Sequence, residues 1–150
     1  MKLGEHIPSF NLLDHKGNYF NSDEFLYKKY FVLFFYPMDF TPMCTKEVCH
    51  FRDIKADFDQ LDAVLVGING QSSLSHEKFA RKHQLNYPLL SDRNAELTKR
   101  LGIKKTFGLI TPRETFVFNK KGLLIEHIQS NKADVHIERA IKAIKKDQEN

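Results

Sequence analysis

The 150-residue chain is the length of one ordinary domain, and at 41% hydrophobic and 28% charged residues it has the composition of a packed protein rather than a disordered one. Net charge is +4, spread along the chain apart from a denser group at Lys142, Lys145 and Lys146, and no basic run alternates with aromatics as on a nucleic-acid surface. No apolar stretch approaches the roughly 20 residues of a membrane span, and residues 1–6 lack a charged-then-apolar signal pattern, so a single cytoplasmic domain over residues 1–150 is expected.

In chain order, residues 10–13 and 18–20 around His15-Lys16-Gly17 predict a small hairpin. Residues 31–36, Phe-Val-Leu-Phe-Phe-Tyr, form a continuous apolar run that suits a strand buried on both faces. Thr41-Pro42 then predicts a helix start, because Thr caps well and Pro is favoured at the first helical position. Val48, Phe51, Ile54, Ala56 and Phe58 carry its apolar stripe to about residue 58. Residues 63–69 repeat the buried-strand pattern. Ser73 or Ser75 caps a helix bearing Phe79 and running to about His83. Residues 88–90 are a short extended piece, and Ser91 or Asp92 caps a helix over 95–101 that Gly102 closes. Residues 115–118 and 123–128 flank Asn119-Lys120-Lys121-Gly122 as an antiparallel hairpin. A final helix follows, with Val135, Ile137, Ala140, Ile141 and Ile144 as its apolar positions. Strands alternating with helices imply a parallel section, to which the hairpin adds antiparallel strands. The expected α/β fold is a mixed sheet with helices on both faces, in the order of a thioredoxin-like domain.

Most of the chemistry is concentrated between Pro37 and Cys49. Cys44 falls in the first turn of a helix that starts at the C-terminal end of a buried strand, the edge where open α/β sheets bind ligands. Unpaired backbone N–H groups and the positive end of the helix dipole favour a thiolate there, and the thiolate is the nucleophile. An inert buried cysteine is the plainer reading of a lone thiol, but three neighbours oppose it. Thr41 places a hydroxyl one turn back, Pro37 and Pro42 stiffen the approach, and Cys49 supplies a second thiol. On a regular helix Cα atoms five residues apart are about 8.7 Å from each other, whereas a disulfide needs them within about 7 Å. If Cys49 resolves an oxidised Cys44, the helix between them must unwind.

The spacing Pro37-x3-Thr41-x2-Cys44 resembles the active-site signature of peroxiredoxins, and C-x4-C with Glu47 between the cysteines resembles their bacterioferritin-comigratory-protein (PrxQ) branch. The similarity covers nearly the whole chain, including residues 31–36, residues 87–92 and Arg113-Glu114-Thr115-Phe116-Val117. This resemblance implies that Cys44 is the peroxidatic thiolate, which attacks hydrogen peroxide or an organic hydroperoxide and becomes a sulfenic acid. It further implies that Thr41 binds the peroxide, that Arg113 stabilises the thiolate and the developing charge, and that Pro37 limits solvent access. Cys49 would then close an intramolecular disulfide, which thioredoxin or a similar dithiol reduces. No cofactor is implied. An intramolecular bridge needs no dimer, so a monomer is expected, with a weak dimer left open. Glu47, one turn after Cys44, either orients Arg113 or backbone groups or is a surface carboxylate.

Two features depart from the branch: the stretch from Gly102 to Arg113 is short, and Asn119 stands where an acidic residue is common. Zinc on Cys44, Cys49 and His50 is disfavoured, since C-x4-C is wider than the usual knuckle and no second pair exists. A thiol–disulfide reductase would carry C-x-x-C. A non-enzymatic binding module would leave Pro37, Thr41, Cys44 and Arg113 without a purpose.

Overall fold

Six consecutive apolar and aromatic residues have no polar face to offer water, and they form β3 (Tyr30–Phe35), in which every residue is buried. The computed structural model describes residues 1–150. Before β3 come β1 (Asn11–Asp14) and β2 (Tyr19–Asn21). After it follow α1 (Pro42–Asp53), α2 (Lys55–Gln60), β4 (Ala63–Asn69), α3 (Ser73–Lys82) and β5 (Leu89–Ser91). The chain ends with α4 (Glu96–Arg100), β6 (Glu114–Phe118), β7 (Leu124–Gln129) and α5 (Ala133–Gln148). The seven strands make one sheet in the order β2-β1-β5-β4-β3-β6-β7. β3, β4 and β5 run parallel, while the β6–β7 hairpin adds antiparallel strands at one edge and the β1–β2 hairpin at the other.

Because side chains alternate along a strand, β3 feeds two cores. Tyr30, Val32 and Phe34 pack with Cys44, Val48 and Phe51 of α1, Phe58 of α2, Phe79 of α3 and Ile137, Ala140 and Ile144 of α5. Phe31, Leu33 and Phe35 pack on the opposite face with Leu97 and Leu101 of α4 and with Ile7, Phe10 and Phe20. Helices thus cover both faces, as expected, four on one and the short α4 with the N-terminal segment on the other. No helix is long and apolar enough to cross a membrane.

Local chemistry revises several boundaries. The helix expected to reach residue 58 is interrupted at Ile54, whose backbone (φ −110°, ψ 13°) leaves helical geometry and turns α2 onto β4. Ser72, not Ser73 or Ser75, caps α3: it alone is extended, and its hydroxyl accepts from Ser75 N at 3.1 Å. Asp92 rather than Ser91 serves α4, its carboxylate accepting from Thr98 N (2.8 Å) and the Thr98 hydroxyl (2.6 Å). Gly102 closes that helix at φ +76°, a conformation costly for any residue with a Cβ. The stretch from Gly102 to Arg113 holds a bridge between Thr106 and Ile110, with Phe107 and Leu109 turned to solvent.

Gly67 of β4 ties this core to α1. A Cβ there would meet the Phe34 ring at 2.7 Å and Leu89 at 2.9 Å, and Phe34 stacks on Phe51 of α1 with ring centroids 4.3 Å apart. Gly67→Ala is therefore expected to lower unfolding free energy by about 1–3 kcal/mol through overpacking. Denaturant unfolding checks this, and unchanged stability would contradict the packing described.

Candidate active site

The parallel strands end together, and α1 starts where β3 stops. Pro37 stands half-buried just beyond β3, and Pro42 occupies the first position of α1. Between them Phe40 adopts a left-handed backbone (φ 68°) unusual for a residue with a side chain. Thr41 takes the N-cap position, but its hydroxyl does not cap the helix. It donates instead to Met38 O at 3.1 Å, which leaves its lone pairs free to accept. Cys44 lies in the first turn of α1 and is 1% exposed.

Strand register brings the cation to this thiol. Phe35 pairs with Glu114 across the antiparallel β3–β6 ladder, so Arg113, one residue earlier, arrives beside the start of α1. Its Nη2 donates to Cys44 Sγ at 3.5 Å and its Nη1 to Glu47 Oε1 at 2.8 Å. Burial opposes the charge on Arg113, but the Glu47 carboxylate and Cys44 outweigh it, and the group is raised further above its ordinary value. Glu47 is fully buried, which removes the surface-carboxylate reading. Burial pushes its carboxyl up to about 7 against the pull of Arg113. Its second oxygen has no hydrogen-bond partner and stands 3.9 Å from His136 Nε2.

His136 is itself buried. Ser130 O can only accept, so Nε2 carries a hydrogen (2.7 Å), and Nδ1 lies 2.7 Å from the Thr115 hydroxyl. Burial lowers its pKa, and the charges of Arg113 and Arg139 add to this. A second polar cluster holds the segment before Thr41. The Asp39 carboxylate, 3% exposed, accepts from Tyr36 OH (2.6 Å) and the Ser75 hydroxyl (2.8 Å) and contacts His76 Nδ1 (2.7 Å), while Asp39 N donates to Gln71 Oε1 (2.5 Å). Burial works to raise the Asp39 carboxyl, but hydrogen bonds from His76, Tyr36 and Ser75 outweigh it and hold the group below its usual range. His76 Nε2 faces Leu90 O at 3.1 Å, so both ring nitrogens face acceptors.

Cys49 sits on the other side of α1, half-buried and free, as Cys44 is free. Arg52 Nη1 lies 3.6 Å from its sulfur. His50 turns to Asp134 at 2.9 Å. Cys44, Glu47 and Arg113 are thus brought into one constellation with Thr41 at its edge, while Cys49 is kept apart by the intact helix. Asp39, His76, His136 and Arg52 are not evident from motif spacing. The two histidines do have a signal: each lies on the buried stripe of its helix, His76 with Phe79 and Ala80, His136 with Ile137 and Ala140.

Residues 3–127 match the sequence profile of the AhpC/TSA family. Peroxiredoxin Bcp of Bacillus subtilis (strain 168) is 37% identical over 148 residues, covering 95% of this chain and 87% of that protein. Peroxidoxin BcpB from Mycobacterium tuberculosis superposes with a TM-score of 0.89 at 35% identity, over 97% of both chains. A bacterioferritin comigratory protein from Xanthomonas campestris superposes at 0.83 with 26% identity, over 91% of this chain and 90% of that one. Its trapped-intermediate and ligand complexes bear on alkyl peroxide reduction activity.

The buried carboxyl makes a signed pH prediction. Glu47 holds its proton more tightly folded (about 7) than at its ordinary value of 4.5. Its contribution to stability is therefore fully present below about 4.5 and is lost as pH rises through about 7. Relative to Glu47→Gln, the unfolding free energy of the native chain should fall between pH 5 and 8, by at most about 1.4 kcal/mol per pH unit. Denaturant titrations at four pH values measure this, and a flat difference would mean that Glu47 titrates as it does unfolded.

Proposed function

Because this chain belongs to the AhpC/TSA family and is a peroxiredoxin, an enzyme that reduces peroxides with a thiol, we propose that Cys44 is its peroxidatic residue and Cys49 its resolving one. The single observation that carries the reading is the guanidinium of Arg113, shared between Cys44 Sγ and the buried Glu47. A fixed cation at 3.5 Å stabilises a thiolate before the reaction and negative charge on oxygen during it.

The Cys44 thiolate attacks the terminal oxygen of the hydroperoxide. The O–O bond breaks, sulfur gains the oxygen as a sulfenic acid, and the leaving alkoxide or hydroxide takes a proton. Thr41, its own hydrogen engaged with Met38 O, accepts from the peroxide O–H, while Arg113 donates to the peroxide oxygens. Pro37 limits water at the mouth, and Glu47 orients Arg113. Cys49 then displaces water from the sulfenic acid to close the Cys44–Cys49 disulfide, and a thioredoxin-type dithiol returns both thiols. Met38, Phe40 and Met43, each about half exposed around the entrance, give organic hydroperoxides an apolar rim beside which hydrogen peroxide is also accepted. No second subunit is needed for this chemistry, so residues 1–150 act as one domain and as a monomer. Two thiols that must be restored after each turnover suit a reducing compartment such as the cytoplasm.

Fully reduced protein treated with one equivalent of hydrogen peroxide should lose two hydrogens by intact mass, mapping to a Cys44–Cys49 bridge. Cys49→Ser should still be oxidised once and stop as a trappable sulfenic acid. Arg113→Gln should lower the rate of the first oxidation by about 10²–10³-fold. Cys44→Ser should abolish peroxide turnover, and turnover that survives it would overturn the assignment.

A further inference from the structure

Each cysteine sulfur in this chain has its own guanidinium. Arg113 serves Cys44, and Arg52 holds Nη1 at 3.6 Å from Cys49 Sγ. Arg52 is not loosely placed there. Its Nε and Nη2 both reach Asp53 Oδ1, at 2.9 and 2.8 Å, and Nη1 donates to His83 O, at the C-terminal end of α3, at 2.7 Å. Nη1 has two hydrogens, so one serves His83 O and the other is directed to sulfur. The side chain is 30% exposed, yet three acceptors fix its plane, and a fixed fork holds its direction better than a free ammonium would.

We propose that Arg52 is a catalytic residue of the resolving half-reaction: it holds Cys49 as the thiolate that attacks the Cys44 sulfenic acid, and it receives that thiolate again when the disulfide is reduced. The inference rests on the reading of Cys49 as the resolving thiol. In the forward step the Cys49 thiolate attacks Cys44 Sγ, the S–O bond breaks, and the departing hydroxide takes a proton to become water. In the return step the reductant's thiolate attacks Cys44 Sγ, and Cys49 leaves as a thiolate beside Arg52. A leaving sulfur with a cation waiting leaves faster.

Arg52 lies toward the C-terminal end of α1, beyond the turns that separate the two cysteines. Asn86 Nδ2 donates to Arg52 O at 3.3 Å and Arg52 Nη1 to His83 O. Both partners lie outside α1, so on this proposal Arg52 stays in place while the helix before it opens. The other titratable groups facing this pocket do not imitate it. Tyr87, buried and donating to Val48 O at 2.6 Å, is raised well above its ordinary value by burial and by the Glu47 and Cys49 charges, and it remains neutral. His83 is lowered by burial and by the charges of Lys82 and Arg52. Asp53 is engaged with Arg52.

The first test reads Cys49 alone. In a Cys44→Ser background, iodoacetamide should alkylate Cys49 about threefold to tenfold more slowly at pH 7 after Arg52→Gln, with Arg52→Lys recovering part of the loss. The second test uses the two-cysteine protein, quenched during a single turnover with hydrogen peroxide and weighed. Arg52→Gln should leave sulfenic acid formation within about twofold and slow disulfide closure severalfold at pH 7. Were Arg52 only a strut tying α1 to α3, its removal would ease unwinding and speed closure at every pH. Unchanged alkylation at pH 7, or faster closure, overturns the proposal. A Cys49→Ser chain that still turns over with a dithiol overturns instead the resolving role on which it rests.

Discussion

A helix sets a distance that a disulfide cannot span: about 8.7 Å between Cα atoms five residues apart, against the roughly 7 Å within which two cysteines bond. With Cys49 as the proposed resolving thiol, the helix must be intact to hold Cys44 at its first turn against Arg113, and it must open for Cys49 to reach an oxidised Cys44. Its supports are arranged accordingly. Val48 and Phe51 bury its inner face, with Phe51 stacked on Phe34 of the central strand. Polar contacts hold it as well: Arg113 to Cys44 and Glu47, Tyr87 to Val48 O, His50 to Asp134 and Arg52 to His83 O, and its helical run ends before Ile54. Between the two cysteines the Tyr87 bond to Val48 O contributes about 1 kcal/mol net, small enough for a chemical event to offset, while the Arg52 contact lies beyond them.

The buried charges divide the work. Arg113 and Glu47 form a pair with 7% and 1% of their side chains exposed, and one Glu47 oxygen and Arg113 Nε lack partners. Such a pair is a poor source of stability, because desolvation offsets much of its attraction. Its value lies in fixing a cation 3.5 Å from sulfur. Asp39 is the contrasting case. Three groups meet its carboxylate and Gln71 takes its backbone N–H, and it anchors the strained turn at Phe40 that presents Thr41. One cluster is left polar and incomplete beside Cys44, and the other is closed where the chain needs holding.

Reading the chain alone reaches a good deal of this. The buried run at residues 31–36, the hairpin around Asn119–Gly122, the Thr41-Pro42 helix start and the thioredoxin-like mixed sheet are all legible because each is written in local pattern. Cys44 is legible because Pro37, Thr41, Pro42 and Cys49 stand around it at fixed spacing. The fate of Glu47 is not, because a carboxylate within helical reach of a thiol looks alike whether solvent or Arg113 stands opposite. Arg113 lies 66 residues away and reaches it only through the β3–β6 register. The break at Ile54 is equally hidden, since the apolar positions continue through it with helical spacing. His76 and His136 belong to no motif, although their helix stripes mark both as buried.

The central claim, that α1 opens between the cysteines in each cycle, is tested most directly by amide hydrogen exchange on the reduced and disulfide forms. The account predicts that amides between Cys44 and Cys49 lose their protection when the bridge forms, while β3 and β4 keep theirs. A mapped Cys44–Cys49 bridge with those helical amides still protected would contradict it.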